Sequence, residues 1–154
     1  MTRLSGLRRA LLASPAPRGE AEGTVIPVPL TAVDRRRVRR RLIAPDGTEL
    51  RLAFPTGTVL APGTLLGVVE GRSYVAQAGP EDVAVICPRT LAEAARLGHA
   101  VGNLHRDLVE EGGTFLALWD APLELLLTRL GVPFTREDRP FPGRPGWEHE
   151  AGTP

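Results

Sequence analysis

The chain has 154 residues, 42% of them apolar and 24% charged, which suffices for one domain or two small ones and argues against a membrane protein. Its 19 basic residues, all arginine, stand against 18 acids, so a formal charge of +1 excludes a general attraction for nucleic acid and leaves only local basic patches. The single cysteine, Cys87, excludes an intrachain disulfide framework, an all-cysteine zinc site within one chain and a C-x-x-C redox pair, and points to the cytoplasm.

Residues 1–23 read as a flexible N-terminal tail. Arg3, Arg8 and Arg9 precede an apolar run of only Ala10 to Ala13, too short for a secretory signal or a bilayer span. The S-P-A-P-R-G-E-A-E-G that follows blocks helix and strand alike. A short amphipathic helix over Arg3 to Ala13, lying on a membrane or a partner, is the alternative.

Residues 24–80 read as a small all-β domain. T-V-I-P-V-P-L is short and β-branched, and Asp46-Gly47 predicts a turn joining the arginine-rich segment up to Ile43 to E-L-R-L-A-F. Further short strands are expected at Thr58 to Leu60, Leu65 to Val69 and Tyr74 to Ala78, separated by turn chemistry. Arg35 to Arg41, interrupted only by Val38, would alternate on a strand and leave at least one face solvated. That face is either a patch for RNA or an acidic partner, or an exposed edge whose charges discourage aggregation.

Residues 81–142 read as a second domain beyond Gly79-Pro80. Asp82 to Cys87 is a buried-strand run ended by Pro88, with Cys87 read as a small core residue. Thr90 with Glu93 forms a capping box opening a helix from Leu91 to about Gly102, whose apolar face is Leu91, Ala94, Ala95 and Val101. His105 to Val109 and Thr114 to Trp119 read as strands around Glu111-Gly112-Gly113. Asp120 caps a second helix with a stripe of Leu123, Leu126, Leu127 and Leu130, Gly131 stops it, and Val132 to Arg136 is a last strand. The resulting β-α-β-β-α-β order predicts an α+β chain with a C-terminal ferredoxin-like domain. Residues 143–154 read as a flexible tail.

Two of the three histidines, His99 and His105, flank a Gly102-Asn103 break, a pair that favours left-handed backbone and commonly closes a helix. His105 would therefore stand just beyond a helix C-terminus as an imidazole ligand for zinc, copper or nickel, needing further ligands from elsewhere or from a second subunit. His99, six positions earlier, lies on another face and reads as surface or packing. Asp107, Glu110 and Glu111 read as solvated acids beside a turn.

Several motifs, taken in order, resemble the urease accessory protein UreE family of nickel metallochaperones over roughly Ile26 to Trp147. They are D-R-R-R-V-R-R-R, the D-G-T-E-L hairpin, L-A-P-G-T-L-L, the helix end G-N-L-H, W-D-A-P-L-E-L-L-L-T-R-L-G and the late P-F-P. The resemblance implies a homodimer whose N-terminal β domain docks partners and whose ferredoxin-like domain carries nickel at the subunit interface. It implies that His105 meets its symmetry mate across the two-fold. It also implies that His149, in the tail, completes or loads the site, with Glu148 or Glu150 as further oxygen donors. The implied partners are the urease accessory GTPase UreG and the apo-urease assembly complex. The chain departs from the family pattern at Ala100, where relatives often carry a histidine that stands here at His99. Trp119 and Ala121 replace histidines that flank the second helix cap in some relatives, and the tail is not histidine-rich. One shared ion per dimer follows.

Such an N/O ligand set does not separate nickel from zinc or copper, because intrinsic affinity follows the Irving–Williams order. The function expected is nickel delivery during urease active-site assembly. An RNA- or ribosome-associated protein using Arg35 to Arg41 is the alternative, disfavoured because aromatic residues are only 5% of the chain. Catalysis is not expected: the chain has no phosphate-cradling glycine loop, no H-E-x-x-H and no G-x-S-x-G.

Overall fold

The structure, a computed structural model, describes residues 23–146. The Arg3 to Ala13 segment and Trp147, Glu148, His149 and Glu150 lie outside the described residues. The described residues divide into two compact units, one made of residues 23–30 with Asp34–Gln77, the other of Thr31–Val33 with residues 78–146.

The first unit is all-β. Strand β1 (Thr24–Leu30) lies at the edge of a three-stranded sheet ordered β1-β5-β4, with β4 at Leu65–Val69 and β5 at Arg72–Ala78. An edge suits β1, because Pro27 and Pro29 have no N–H to give a neighbouring strand. The expected hairpin is present: β2 (Arg39–Ile43) pairs antiparallel with β3 (Glu49–Ala53) around Asp46-Gly47. Gly47 takes φ 85°, and Asp46 Oδ1 accepts the Thr48 N–H at 3.1 Å, so the turn is fixed by its own side chain. Leu50, Leu52, Leu60, Leu66 and Tyr74 form the core.

Two expectations for this unit fail. Thr58 to Leu60 is not a strand, although Leu60 is fully buried in the core. The arginine run is not one alternating strand either. Asp34–Arg36 forms a 3-10 turn, Arg35 is buried at 1% exposure, Val38 is buried, and the strand begins only at Arg39. Burial of Arg35 and Val38 against the core, which charge alone does not predict, breaks the period.

The second unit is the expected ferredoxin-like fold. Strands β6 (Pro80–Ile86), β7 (Val109–Glu111), β8 (Thr114–Leu118) and β9 (Phe134–Pro140) form an antiparallel sheet ordered β7-β8-β6-β9. Helices α1 (Leu91–Asn103) and α2 (Ala121–Leu130) complete the β-α-β-β-α-β sequence. The central β6 alternates between two cores. Ala84 and Ile86 pack with Leu97, Val101, Leu123 and Leu127 of the helices, whereas Val83 and Val85 pack with Ala32, Leu116 and Phe141 on the other face. Among the described residues no helix is long and apolar enough to cross a membrane.

The caps explain where the helices lie. The Thr90 hydroxyl accepts the Glu93 N–H at 3.1 Å, and Asp120 Oδ1 accepts the Leu123 N–H at 2.8 Å. Glu93 does not close the reciprocal half of a capping box on Thr90. Its carboxylate accepts the Arg89 N–H at 2.8 Å and pairs with the Arg89 guanidinium, which also donates to the Gly131 carbonyl. Gly131 takes φ 66° and ends α2. On α1 the buried residues are Leu97 and Val101, while Leu91 is 87% exposed in the first turn. The packed stripe therefore runs through Leu97 and Val101 at i and i+4, with Leu91 outside it.

Candidate functional site

Helix α1 runs through Asn103, one residue beyond the expected end, and the left-handed residue is neither Gly102 nor Asn103 but His105 itself, at φ 54°. The His105 N–H donates to the Gly102 carbonyl at 2.9 Å and the Arg106 N–H to the Val101 carbonyl at 3.4 Å. This is the double bond pattern of a Schellman motif, with His105 in the position that glycine usually takes. His105 is exposed there. The strand expected from His105 to Val109 does not form over residues 105–108, because this turn delays β7 until Val109.

The two residues after His105 anchor the loop on both sides. The Arg106 side chain, only 13% exposed, forms an ion pair with Asp120, the N-cap of α2. Asp107 holds the C-terminal segment: the Arg144 N–H donates to Oδ2 at 2.8 Å and Arg144 Nη2 to Oδ1 at 2.9 Å. Burial raises the pKa of the Asp107 carboxyl, but the Arg144 guanidinium and backbone N–H outweigh it and hold the group below the ordinary carboxylate value. Asp107 is therefore not the solvated acid that its place beside a turn suggests. Residues 143–146, expected to open the C-terminal tail, carry a buried Gly143 and a buried Pro145 beside this anchor.

A cavity of about 270 Å³ lies beside the loop, lined by Arg106, Asp107, Trp119, Asp120, Phe141 and Arg144 among others. Four carboxylates reach it, yet each is engaged: Asp107 by Arg144, Asp120 by Arg106, Asp82 by Arg136, and Glu81 by the Ala32 N–H at 2.9 Å. It offers no open set of metal donors. Among the described residues no group of three or more histidine, cysteine, aspartate or glutamate side chains gathers as a metal site. His105 thus presents one imidazole per chain at an exposed, fixed position.

The other sequence candidates fall elsewhere. His99 is exposed on α1 with its ring nitrogen 3.2 Å from the Asn103 amide nitrogen. Cys87 is exposed, not a core residue, because β6 ends at Ile86 and the chain turns out at Pro88. Trp119 packs against the helix core with the Arg136 guanidinium 3.5 Å from its ring centroid, and Ala121 is exposed, so neither helix-cap flank supplies a ligand. The Asp107–Arg144 anchor was not predicted. Its signal, an acid two residues after the histidine, needs a partner 37 positions away that no local pattern announces.

Comparison with known proteins agrees with this architecture. A family model described as the UreE urease accessory protein, N-terminal domain, matches residues 11–78. The urease accessory protein UreE of Deinococcus radiodurans is 71% identical over 97% of this chain and 99% of its own length. The UreE of Synechococcus sp. strain JA-3-3Ab is 50% identical over 79% of this chain and 81% of its length. That of Geobacillus kaustophilus is 32% identical over 65% and 68%.

Proposed function

This chain belongs to the UreE family of urease accessory proteins, and from that premise we propose that it is a nickel carrier which binds one ion between the His105 residues of two chains and releases it to the urease assembly. By family it is an accessory protein and not an enzyme. The observation that carries the reading is the exposed imidazole of His105, set in a left-handed turn whose next two residues, Arg106 and Asp107, are anchored by ion pairs. One nitrogen does not hold a divalent ion, so the ligand set is completed by the same residue of a second chain. A site shared at a two-fold surface is open enough to release what it binds.

His149 is the proposed third donor, with Glu148 or Glu150 as alternatives. The anchor supports this, because His149 stands five positions after Arg144 and five residues of extended chain reach at most about 17 Å. The cargo is nickel, with zinc and copper able to occupy the same donors in vitro. In this reading residues 81–142 carry the metal and residues 24–80 dock partners, among them UreG and the apo-urease complex, in the cytoplasm. The test is nickel calorimetry on the full chain, His105→Ala and a chain truncated after Gly146. Loss of binding in His105→Ala with a partial loss on truncation supports the assignment. Unchanged binding in His105→Ala refutes it, and a larger loss on truncation moves the principal ligand to the tail.

A further inference from the structure

The arginine run, which takes no part in the metal site, presents one face of the β2–β3 hairpin to solvent. The register sets Arg39 opposite Ala53, Arg41 opposite Arg51 and Ile43 opposite Glu49. Exposure alternates along β2, so Arg39, Arg41 and Ile43 are exposed, Ile43 at 60%. Side chains on one face repeat every second residue, placing these three in a row at intervals of about 7 Å. Arg37, just before the strand, is exposed as well.

Among the described residues the charges of this face are not balanced. Arg40, on the opposite face of β2, binds Asp34 at 2.6 Å, and Arg51 binds Glu49 at 3.1 Å. No ion pair reaches Arg39 or Arg41 among the described residues, and Glu49, the one acid on their face, is taken by Arg51. Arg41 also stands directly across the pair from Arg51, a placement of like charges that destabilises a hairpin. An edge protected from aggregation needs a charge, but needs neither two opposed arginines nor an exposed isoleucine closing the row.

We propose that this face docks an extended acidic segment of another protein, with carboxylates at alternate positions on Arg39 and Arg41 and an apolar side chain seated on Ile43. The period of a bound extended peptide matches that of the row, and the incoming carboxylates relieve the Arg41–Arg51 repulsion. A nucleic acid strand fits less well: Arg39, Arg41, Ile43, Glu49, Arg51 and Ala53 include no aromatic ring on which a base would stack. The proposal rests on the reading of residues 24–80 as the partner-docking unit and not on nickel binding, so the peptide measurement and the nickel measurement fail separately.

The experiment is fluorescence polarisation on the full chain at low salt with a labelled peptide of alternating glutamate and threonine that ends in leucine. Matched probes of alternating lysine and threonine and of oligouridylate are run beside it. Saturable binding of the acidic peptide alone is expected, weakened about tenfold in Arg39→Gln/Arg41→Gln, less in Ile43→Ser, and unchanged in Arg129→Gln, an exposed arginine on α2. Arg41→Lys keeps most of the binding, and Arg41→Gln keeps or raises the thermal midpoint, which separates docking from a structural role. Failure of the acidic peptide to bind, an equal loss in Arg129→Gln, or tighter binding of oligouridylate overturns the proposal.

Discussion

His105 carries two demands at once. It occupies a left-handed position where glycine is the unstrained residue, and it supplies the imidazole on which the carrier reading depends. The two demands are separable by substitution. His105→Gly is expected to keep or raise the thermal midpoint while nickel binding is lost, whereas the β-branched His105→Val loses binding and also about 1 kcal/mol or more of stability. Equal destabilisation by both would show that the backbone conformation is not held as described. The sequence made His105 legible as a residue just past a helix end, because Gly102-Asn103 is a strong local stop. It misplaced the turn by two residues, since glycine and asparagine advertise left-handed backbone more loudly than histidine does. Asp46 is a second residue whose role is set by distant partners. Burial raises its pKa, but the Tyr74 hydroxyl, the Thr48 N–H and hydroxyl and Arg72 bring it from 3.8 down to about 2. A carboxyl with a depressed folded pKa stabilises fully above its unfolded value and loses that contribution as pH falls through the folded one. The first unit is therefore expected to weaken between pH 3.8 and about 2. Asp46→Asn, followed through the near-ultraviolet signal of the buried Tyr74, abolishes that part of the acid dependence. A wild-type profile in the variant contradicts the assignment.

At the scale of elements, the loop after α1 is where the site is made. Arg106 fastens it to the cap of α2, and Asp107 fastens it to the segment leading into the tail. If the anchor holds His149 near His105, then Asp107→Asn, Arg144→Gln and truncation after Gly146 each weaken nickel binding by a similar factor, and combining Asp107→Asn with truncation adds nothing further. Additive losses, measured by calorimetry, would mean that anchor and tail act separately. The helices themselves were legible because their signals are local: Thr90 and Asp120 as caps, Gly131 as the stop, Leu123 and Leu127 as the stripe. At Gly131, φ 66° makes Gly131→Ala cost roughly 1 kcal/mol in chemical denaturation, and no loss would contradict the left-handed assignment. Elements decided by tertiary contact were not legible. Cys87 looks like the end of a buried strand but lies one residue past it, and the arginine run looks like a strand but buries Arg35 and Val38 before the strand starts. No pattern of charge or period distinguishes those cases, because what decides them is the core on the far side.

For the second unit, the β-α-β-β-α-β order was readable from apolar runs together with turn and cap residues, and its strands lie in the order β7-β8-β6-β9. What the order does not supply is a complete ligand set, since the described part of one chain offers a single suitable imidazole on its loop. The carrier account therefore makes its central claim about two chains and not one. The measurement that tests it most directly is native mass spectrometry of the full chain titrated with nickel, with His105→Ala run in parallel. The account predicts a dimer that takes up one nickel per two chains, and a variant that remains dimeric and takes up none at the same concentration. A metal-loaded monomer, or a variant that keeps the ion, would contradict it.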